Sequence, residues 1–162
     1  FERAEEPVQS LLEHLGPEPF ADWNSTIAAE RIGAKRSAIK ITLLDQRFVV
    51  GVGNIYACEA LHRSGISPTT PSNALVRKNG KPTKKLERLV EEVKAVLEAA
   101  IAVGGSTLND FAAVDGTLGY FGHHFQVYDR EDGPCLKEGC NGTIERIGQS
   151  NRSTFLCPQC QK

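Results

Sequence analysis

Four of the chain's five cysteines lie between positions 135 and 160 and form two close pairs. Four residues separate Cys135 from Cys140, sixteen follow, and two separate Cys157 from Cys160. Two short turns that each present a pair of thiolates, joined by a hairpin, can surround zinc tetrahedrally at Zn–S distances of about 2.3 Å. Because four thiolates leave no coordination position open for water or substrate, the spacing predicts one structural Zn²⁺ rather than a catalytic metal.

Two alternatives to this ligand set are open. A disulfide framework is the first, although an odd number of tightly clustered cysteines favours a metal site and a reducing compartment. The second has His123 or His124, just before the first pair, as a rival ligand. A tail of about 40 residues has too small a hydrophobic core to fold alone, so the metal would supply the missing stability. Cys58 stands apart in an apolar helical stretch, where we expect a small buried side chain rather than a reactive thiol.

A second candidate site is the turn Gly51-Val52-Gly53-Asn54, which precedes a predicted helix. Backbone amides at a helix N-terminus attract phosphate, and the two glycines would let a phosphate approach the backbone closely. The Asn54 side chain can donate to the same phosphate, and Lys40, one short helix earlier, can add a charged contact. Two helices joined in this way would hold a nucleic-acid backbone without reading its sequence. A turn with no binding role is the alternative interpretation.

Composition is neutral on the binding partner. The chain has 162 residues, a hydrophobic fraction of 40%, a charged fraction of 24% and a net charge of −1. Basic residues are nevertheless concentrated in two segments without acidic residues, 31–40 and 73–85, and local basic surface decides where nucleic acid binds. No apolar run approaches a membrane span, and the polar start of the chain does not resemble a secretory signal. Met is absent throughout, and a start at Phe1 predicts a fragment.

The elements that must position these sites are mostly helical. Spacing and capping residues predict helices over 7–15, from an Asn24 cap to about Arg36, over 39–44, from 55 onward, and from a Thr83 cap to a Gly104-Gly105 stop. Three prolines leave residues 66–82 room for one short helical turn at best. A loop over 106–120 follows, and then strands over 125–128, 143–147 and 153–156. The predicted fold class is therefore mainly α with a small β part.

Several motifs, in the same order along the chain, resemble formamidopyrimidine-DNA glycosylases, bacterial repair enzymes that excise oxidised purines such as 8-oxoguanine. The resemblance extends from Leu15 to Lys162. The segments that carry it are Leu43-Leu44-Asp45-Gln46, Val50-Gly51-Val52-Gly53-Asn54-Ile55-Tyr56-Ala57, Gly104-Gly105-Ser106-Thr107-Leu108, Gly119-Tyr120-Phe121 and Arg152-Ser153-Thr154-Phe155-Leu156-Cys157-Pro158-Gln159-Cys160-Gln161-Lys162.

The resemblance implies a helix–two-turn–helix domain over residues 1–121, followed by a zinc-finger β-hairpin over residues 122–162. Lys40 and Asn54 match the family's contacts to DNA phosphates, and Arg152 matches the finger arginine that holds the phosphates flanking the extruded nucleotide. An enzyme of this kind must extrude the base because a stacked base cannot be reached.

The segment 106–120 matches the family's lesion-recognition loop, which closes over the flipped base with main-chain groups. Its expected site residues are Ser106, Thr107, Gly119 and Tyr120. Glycine at such positions permits close approach of the backbone to the base.

Two departures from the family pattern stand out. The first cysteine pair has four intervening residues where the family usually has two. The family's nucleophile is an N-terminal proline, whose amine attacks the sugar and forms a Schiff base, next to a glutamate that transfers protons. Position 1 here is Phe, and Pro7 is internal, without a free amine. We therefore expect a chain with the DNA-binding residues and no catalytic residue of its own.

The resemblance thus predicts the DNA-binding portion of a DNA glycosylase and AP lyase. Its expected partner is double-stranded DNA containing oxidised bases, and the expected state is a monomer in the bacterial cytoplasm, associated with the nucleoid, with no membrane contact. Two alternatives stay open. One is an endonuclease VIII-like glycosylase that acts on oxidised pyrimidines, and the other is a non-catalytic, zinc-dependent DNA-binding module.

Overall fold

The computed structural model describes residues 15–102 and 125–162. In these ranges the helices are α1 (Ser25–Ile32), α2 (Ile39–Leu44), α3 (Asn54–Ser64), a 3₁₀ helix (Ser72–Leu75) and α4 (Lys84–Ala102). The strands are β1 (Glu145–Gln149) and β2 (Arg152–Leu156). The predicted fold class, mainly helical with a small β part, is confirmed.

Some predictions fall outside the described ranges. They are nearly all of the predicted helix at 7–15, the Gly104-Gly105 stop, the boundary between residues 121 and 122, the lesion-loop residues Ser106, Thr107, Gly119 and Tyr120, and the rival ligands His123 and His124.

Helix α1 begins where the sequence predicts and ends earlier. The Asn24 side chain accepts a hydrogen bond from the Ile27 amide at 2.9 Å, which satisfies a free donor of the first turn. The predicted end near Arg36 is wrong, because the helix stops at Ile32. Gly33 follows with a φ of +50°, a backbone conformation that glycine adopts at low cost and that ends the helix.

Helix α4 is the longest of the described elements and packs along α3. The Thr83 hydroxyl oxygen accepts a hydrogen bond from the Leu86 amide at 3.3 Å, which confirms the predicted cap. The apolar face of α4 is buried and is formed by Leu86, Leu89, Val90, Val93, Val96, Leu97 and Ala100. Each large side chain of this face stabilises the fold by roughly 1.5–3 kcal/mol when it leaves water.

Residues 15–102 and 125–162 form two hydrophobic clusters. The larger cluster contains residues of all four α-helices. It includes Trp23, whose ring forms a T-shaped contact with that of Phe48 with centroids 5.8 Å apart. The smaller lies under the hairpin and joins Cys58 of α3 to Val127, Ile144 and Phe155. The predicted burial of Cys58 is confirmed, since that side chain is 1% exposed.

The strands β1 and β2 pair antiparallel, with Glu145 opposite Leu156 and Gln149 opposite Arg152. Ser150 and Asn151 form the two-residue turn, and both have positive φ, as the common turn of tight hairpins requires. The predicted strand over 143–147 lies two residues further along, and the one over 153–156 is confirmed with Arg152 added. The predicted strand over 125–128 is wrong: this segment is a bend and turn.

No helix within residues 15–102 or 125–162 is long and apolar enough to cross a membrane.

Candidate metal centre and nucleic-acid interface

The four predicted zinc ligands converge at one point. The sulfurs of Cys135, Cys140, Cys157 and Cys160 all lie within 4.8 Å of one another. The Cys135 and Cys160 sulfurs are 3.8 Å apart, and the Cys140 and Cys157 sulfurs 3.6 Å. A tetrahedral site with Zn–S bonds of about 2.3 Å requires sulfurs about 3.8 Å apart, so the geometry fits zinc. The same distances are far longer than a disulfide bond, and all four cysteines are free.

The longer first knuckle is accommodated by a local turn. The Cys140 amide donates to the Lys137 carbonyl at 3.0 Å, and Gly139 between them has a φ of +82°. Gly142 then passes so close to the sulfurs that a Cβ at this position would lie 2.5 Å from the Cys157 sulfur. The two additional residues therefore change the turn and leave the number of ligands unchanged.

Burial raises the pKa of the Cys135 and Cys160 thiols, and neighbouring sulfurs raise that of Cys160 further. Burial acts in the same direction on Cys157, but hydrogen bonds from the backbone and from neighbouring thiols outweigh it, so the pKa of Cys157 is lowered instead. Zinc binds the thiolate form, so the cation would favour ionisation of all four cysteines. When bound, zinc would supply structural cross-linking of the two knuckles. The chemistry of the donor set is therefore that of a structural metal centre.

His62 also faces the sulfur cluster. It lies near the end of α3, is 2% exposed, and places its Nε2 3.3 Å from the Cys135 sulfur and 3.8 Å from the Cys160 sulfur. Burial lowers the pKa of His62 to about 4, with Lys137 and Arg63 contributing. The sequence did not point to this residue, since a histidine on the apolar face of a helix gives little signal.

The three predicted DNA-contact residues lie next to one another. The Asn54 side-chain amide donates to the Ser153 carbonyl at 3.0 Å, and the Lys40 ammonium approaches the same oxygen at 3.4 Å. Lys40 also donates to the Thr154 hydroxyl. Since Ser153 follows Arg152 in β2, helices α2 and α3 both hold the strand beside the arginine.

Lys40 has no exposed surface. Burial lowers its pKa, and the nearby Arg152 charge lowers it further, with Cys58 acting in the opposite direction. Its role as a direct phosphate contact stays a prediction, and what the structure shows is a buried lysine bonded to the hairpin. Arg152 is exposed, and none of the ion pairs among the described residues involves it.

In the turn before α3, the Gly51 amide is already bonded, whereas Gly53 gives the helix no side-chain cap. Gly51 has a φ of +86°, and its amide donates to the Gln46 side chain at 2.9 Å. Gly53 is exposed and caps α3 with extended backbone, without a side-chain partner for the helix amides. The start of α3 at Asn54 therefore has no side-chain cap from Gly53, and it lies against Ser153, the residue after Arg152.

A buried carboxylate fixes the entry to the finger. Glu59 of α3 is 1% exposed, and its oxygens accept hydrogen bonds from the amides of Gln126, Val127 and Tyr128 at 2.7, 2.9 and 2.9 Å. Burial raises the pKa of Glu59, while the three amides lower it. These bonds take up the donors that a strand would use, which explains why the predicted strand over 125–128 does not form.

The last residues are anchored to the end of α3. The Gln161 side chain accepts from the Cys157 amide at 2.7 Å and donates to the Ile66 carbonyl at 3.0 Å. The Lys162 amide donates to the Gly65 carbonyl at 3.1 Å. Helix α3 thus contacts the finger along its whole length.

Two known domain families match this chain. The formamidopyrimidine-DNA glycosylase H2TH (helix–two-turn–helix) domain profile matches residues 15–112, and the profile of a zinc finger found in FPG and IleRS matches residues 133–162. The class is therefore a helix–two-turn–helix domain followed by a zinc finger. The chain belongs to the formamidopyrimidine-DNA glycosylase family.

Curated relatives and solved structures agree with this assignment. Proteins named formamidopyrimidine-DNA glycosylase from Afipia carboxidovorans and Beijerinckia indica are 48% and 49% identical over 99% and 94% of the chain. The chain spans 55% and 53% of their lengths, or about half.

A Lactococcus lactis Fpg in complex with DNA containing an abasic site superposes with a TM-score of 0.82 at 29% identity. The match covers 98% of this chain and 56% of that one. The MutM (Fpg) protein from Thermus thermophilus superposes with a TM-score of 0.79 at 37% identity, over 94% of this chain and 55% of that one.

Proposed function

We propose that this chain is the DNA-binding part of a base-excision-repair glycosylase and AP lyase that removes oxidised purines from damaged duplex DNA. The observation that carries the proposal is the meeting of α3 and β2, where Asn54 and Lys40 both bond to the residue after the exposed Arg152. This arrangement places a helix N-terminus, an amide side chain and a guanidinium on neighbouring positions.

Such a group of donors suits a bent phosphate backbone. Backbone amides at a helix N-terminus can hold a phosphate, the second N–H of the Asn54 amide can add a donor beside the one bonded to Ser153, and a guanidinium can hold one or two phosphate oxygens as a fork. Contacts of this kind set the position of the duplex without reading bases. The net charge of −1 is no obstacle, because the free positive charge needed is local.

Family membership is the basis for the parts of the proposal that concern lesion recognition and base excision. The segment 106–120, with Ser106, Thr107, Gly119 and Tyr120, would close over the extruded base. Base release and strand cleavage would require the N-terminal proline nucleophile of the whole protein. The complex of a Lactococcus lactis Fpg mutant with DNA containing Fapy-dG supports a purine-repair role, and the complex of Lactococcus lactis Fpg with abasic-site DNA supports binding to damaged DNA.

A second lesion class has one observation in its favour. The Lactococcus lactis Fpg has also been solved with DNA containing an oxidised pyrimidine. Oxidised pyrimidines are therefore a second candidate substrate for the whole protein.

The test has a binding arm and an excision arm. We expect the zinc-loaded chain to bind a fluorescent duplex containing an abasic-site analogue, measured by anisotropy, and to lose that binding after chelation. It should release no base from a duplex with 8-oxoguanine, whereas the whole protein should excise 8-oxoguanine faster than an oxidised pyrimidine. No DNA binding by the zinc-loaded chain, or rapid excision by it alone, contradicts the proposal. Preference of the whole protein for pyrimidines would move the assignment to the second lesion class.

A further inference from the structure

The His62 ring occupies a position that the zinc-finger fold and the DNA contacts leave unexplained. It belongs to α3, outside the finger, yet its Nε2 is 3.3 Å from the Cys135 sulfur and 3.8 Å from the Cys160 sulfur. The side chain is 2% exposed, so the ring has little contact with bulk water. We propose that His62 donates an Nε2–H hydrogen bond to the Cys135 thiolate of the zinc site and acts as a positioning residue that ties the metal centre to α3.

The hydrogen inventory of the ring selects this arrangement. A neutral imidazole carries one N–H and one acceptor nitrogen, and an imidazolium carries two N–H groups, so Nε2 lacks a proton only when a neutral ring is protonated on Nδ1. The other nitrogen, Nδ1, is buried and has no hydrogen-bond partner among the described residues. A proton there would be a buried donor without an acceptor, and it would leave the Nε2 lone pair facing sulfur. With the proton on Nε2, the ring donates to a sulfur at normal distance for a sulfur acceptor.

Zinc makes the bond stronger than it would be to a thiol. A zinc-bound cysteine is deprotonated, and a hydrogen bond to a charged acceptor is roughly twice as strong as one between neutral groups. Donors around a metal site orient its ligands, and loss of such a donor typically weakens metal binding by about 10- to 100-fold. We therefore expect His62 to slow the release of zinc.

The position of His62 gives this bond a second consequence. Asn54, at the start of the same helix, bonds to the Ser153 carbonyl at 3.0 Å. Asn54 and His62 are eight positions apart on the helix, a rise of about 12 Å. The helix is thus held to the metal knuckles at one end and to the hairpin beside Arg152 at the other. The DNA-binding role of Arg152 and Asn54 in this arrangement rests on the proposed function. The hydrogen bond from His62 to the Cys135 thiolate does not depend on it.

The experiment compares three variants of the zinc-loaded chain for the rate of zinc transfer to a chromogenic chelator. His62→Phe keeps a ring and removes the donor, and we expect roughly tenfold faster transfer. His62→Gln places an N–H donor near the position of Nε2, and it should restore most of the difference. Leu61→Ala truncates a fully buried neighbour on the same helix and reports loss of packing alone. Release by His62→Phe at the wild-type rate, or release by Leu61→Ala and His62→Gln as fast as by His62→Phe, overturns the proposal.

Two spectroscopic measurements address the bond itself. In ¹⁵N-labelled protein, long-range ¹H–¹⁵N correlations should show His62 with its proton on Nε2. A ring bonded directly to the metal through Nε2 would carry the proton on Nδ1, and that result would also overturn the proposal. In cobalt-substituted protein, the sulfur-to-cobalt charge-transfer bands should move to longer wavelength in His62→Phe and return in His62→Gln. Unchanged bands in His62→Phe would contradict a hydrogen bond to the ligand sulfur.

Discussion

The Asn54 side-chain amide donates to the Ser153 carbonyl at 3.0 Å and joins the first turn of α3 to the residue after Arg152 across 99 positions of sequence. Lys40 reaches the same carbonyl from α2 at 3.4 Å. Two helices of the first domain therefore fix the strand that carries the exposed arginine. This junction, and the metal centre that supports it, determine how the molecule should respond to substitution.

Lys40→Met should weaken DNA binding about three- to tenfold without changing its salt dependence. The reason is that Lys40 is fully buried and bonds to Ser153 and Thr154, so it acts on Arg152 through the strand. A residue that contacts phosphate directly contributes about 0.9 to the slope of log K against log salt concentration. Anisotropy titrations at several salt concentrations measure this slope.

A double-mutant cycle with Arg152→Ala provides the control. If Lys40 acts by positioning Arg152, the two substitutions together should weaken binding by less than the sum of their separate effects. A slope lowered by about 0.9 in Lys40→Met, with additive effects in the cycle, would instead establish Lys40 as a phosphate contact of its own.

Gly142→Ala should weaken zinc retention strongly. A Cβ there would lie 2.5 Å from the Cys157 sulfur and 3.4 Å from the Cys140 sulfur, so at least one ligand must shift. Gly148→Ala, in β1 of the same hairpin, is the matched control because its Cβ would meet nothing within 4 Å. Zinc content after dialysis against a chelator distinguishes them, and equal zinc content in the two variants would refute the close approach at Gly142.

Glu59→Gln should lower the free energy of unfolding by about 1–3 kcal/mol. The carboxylate accepts three backbone hydrogen bonds, whereas a glutamine has one acceptor oxygen and turns its amide NH2, itself a donor, toward the remaining backbone donors. Urea denaturation of the zinc-loaded protein measures the change. Glu91→Gln, on the exposed face of α4, removes the same charge and should change stability little. Similar losses for both would indicate that the three bonds contribute little.

Zinc removal should unfold the finger and leave the helical core folded. The chain's single tryptophan, Trp23, lies in the larger cluster against Phe48, while Tyr128 packs on Phe155 in the smaller one at 4.9 Å. Chelation should therefore alter the near-ultraviolet signal of tyrosine while the Trp23 emission maximum stays blue-shifted. A shift of Trp23 emission to that of exposed tryptophan upon chelation would show that the metal supports both clusters.

The features that sequence predicted are those set by neighbouring residues. The cysteine spacing, the Asn24 and Thr83 caps and the amphipathic face of α4 each depend on a few adjacent positions, and each is found where the pattern placed it. The early end of α1 at Gly33 is also local, but glycine is tolerated within helices, so its presence in a helical pattern does not by itself predict that the helix ends there.

The features that were missed depend on partners far apart in the chain. Lys40 is bonded to Ser153 and Thr154 of β2, which lie 113 and 114 positions later in the chain. The residues near Lys40 in the sequence give no indication of these partners. The alternating pattern at 125–128 fits a strand equally well, but the Glu59 carboxylate, 67 to 69 positions earlier, takes its amides. The role of His62 likewise depends on its contact with Cys135, which lies 73 positions later in the chain.

The salt dependence of duplex binding by Arg152→Ala, compared with Arg146→Ala, tests the central claim most directly. Both arginines belong to the hairpin, but Arg146 pairs with Glu131 at 3.6 Å, whereas Arg152 is exposed next to the Asn54 junction. The account predicts that Arg152→Ala weakens binding to an abasic-site duplex at least about tenfold and lowers the salt slope by about 0.9, with little effect from Arg146→Ala. Equal effects of the two substitutions on affinity and slope would contradict it, since charge alone would then explain the binding.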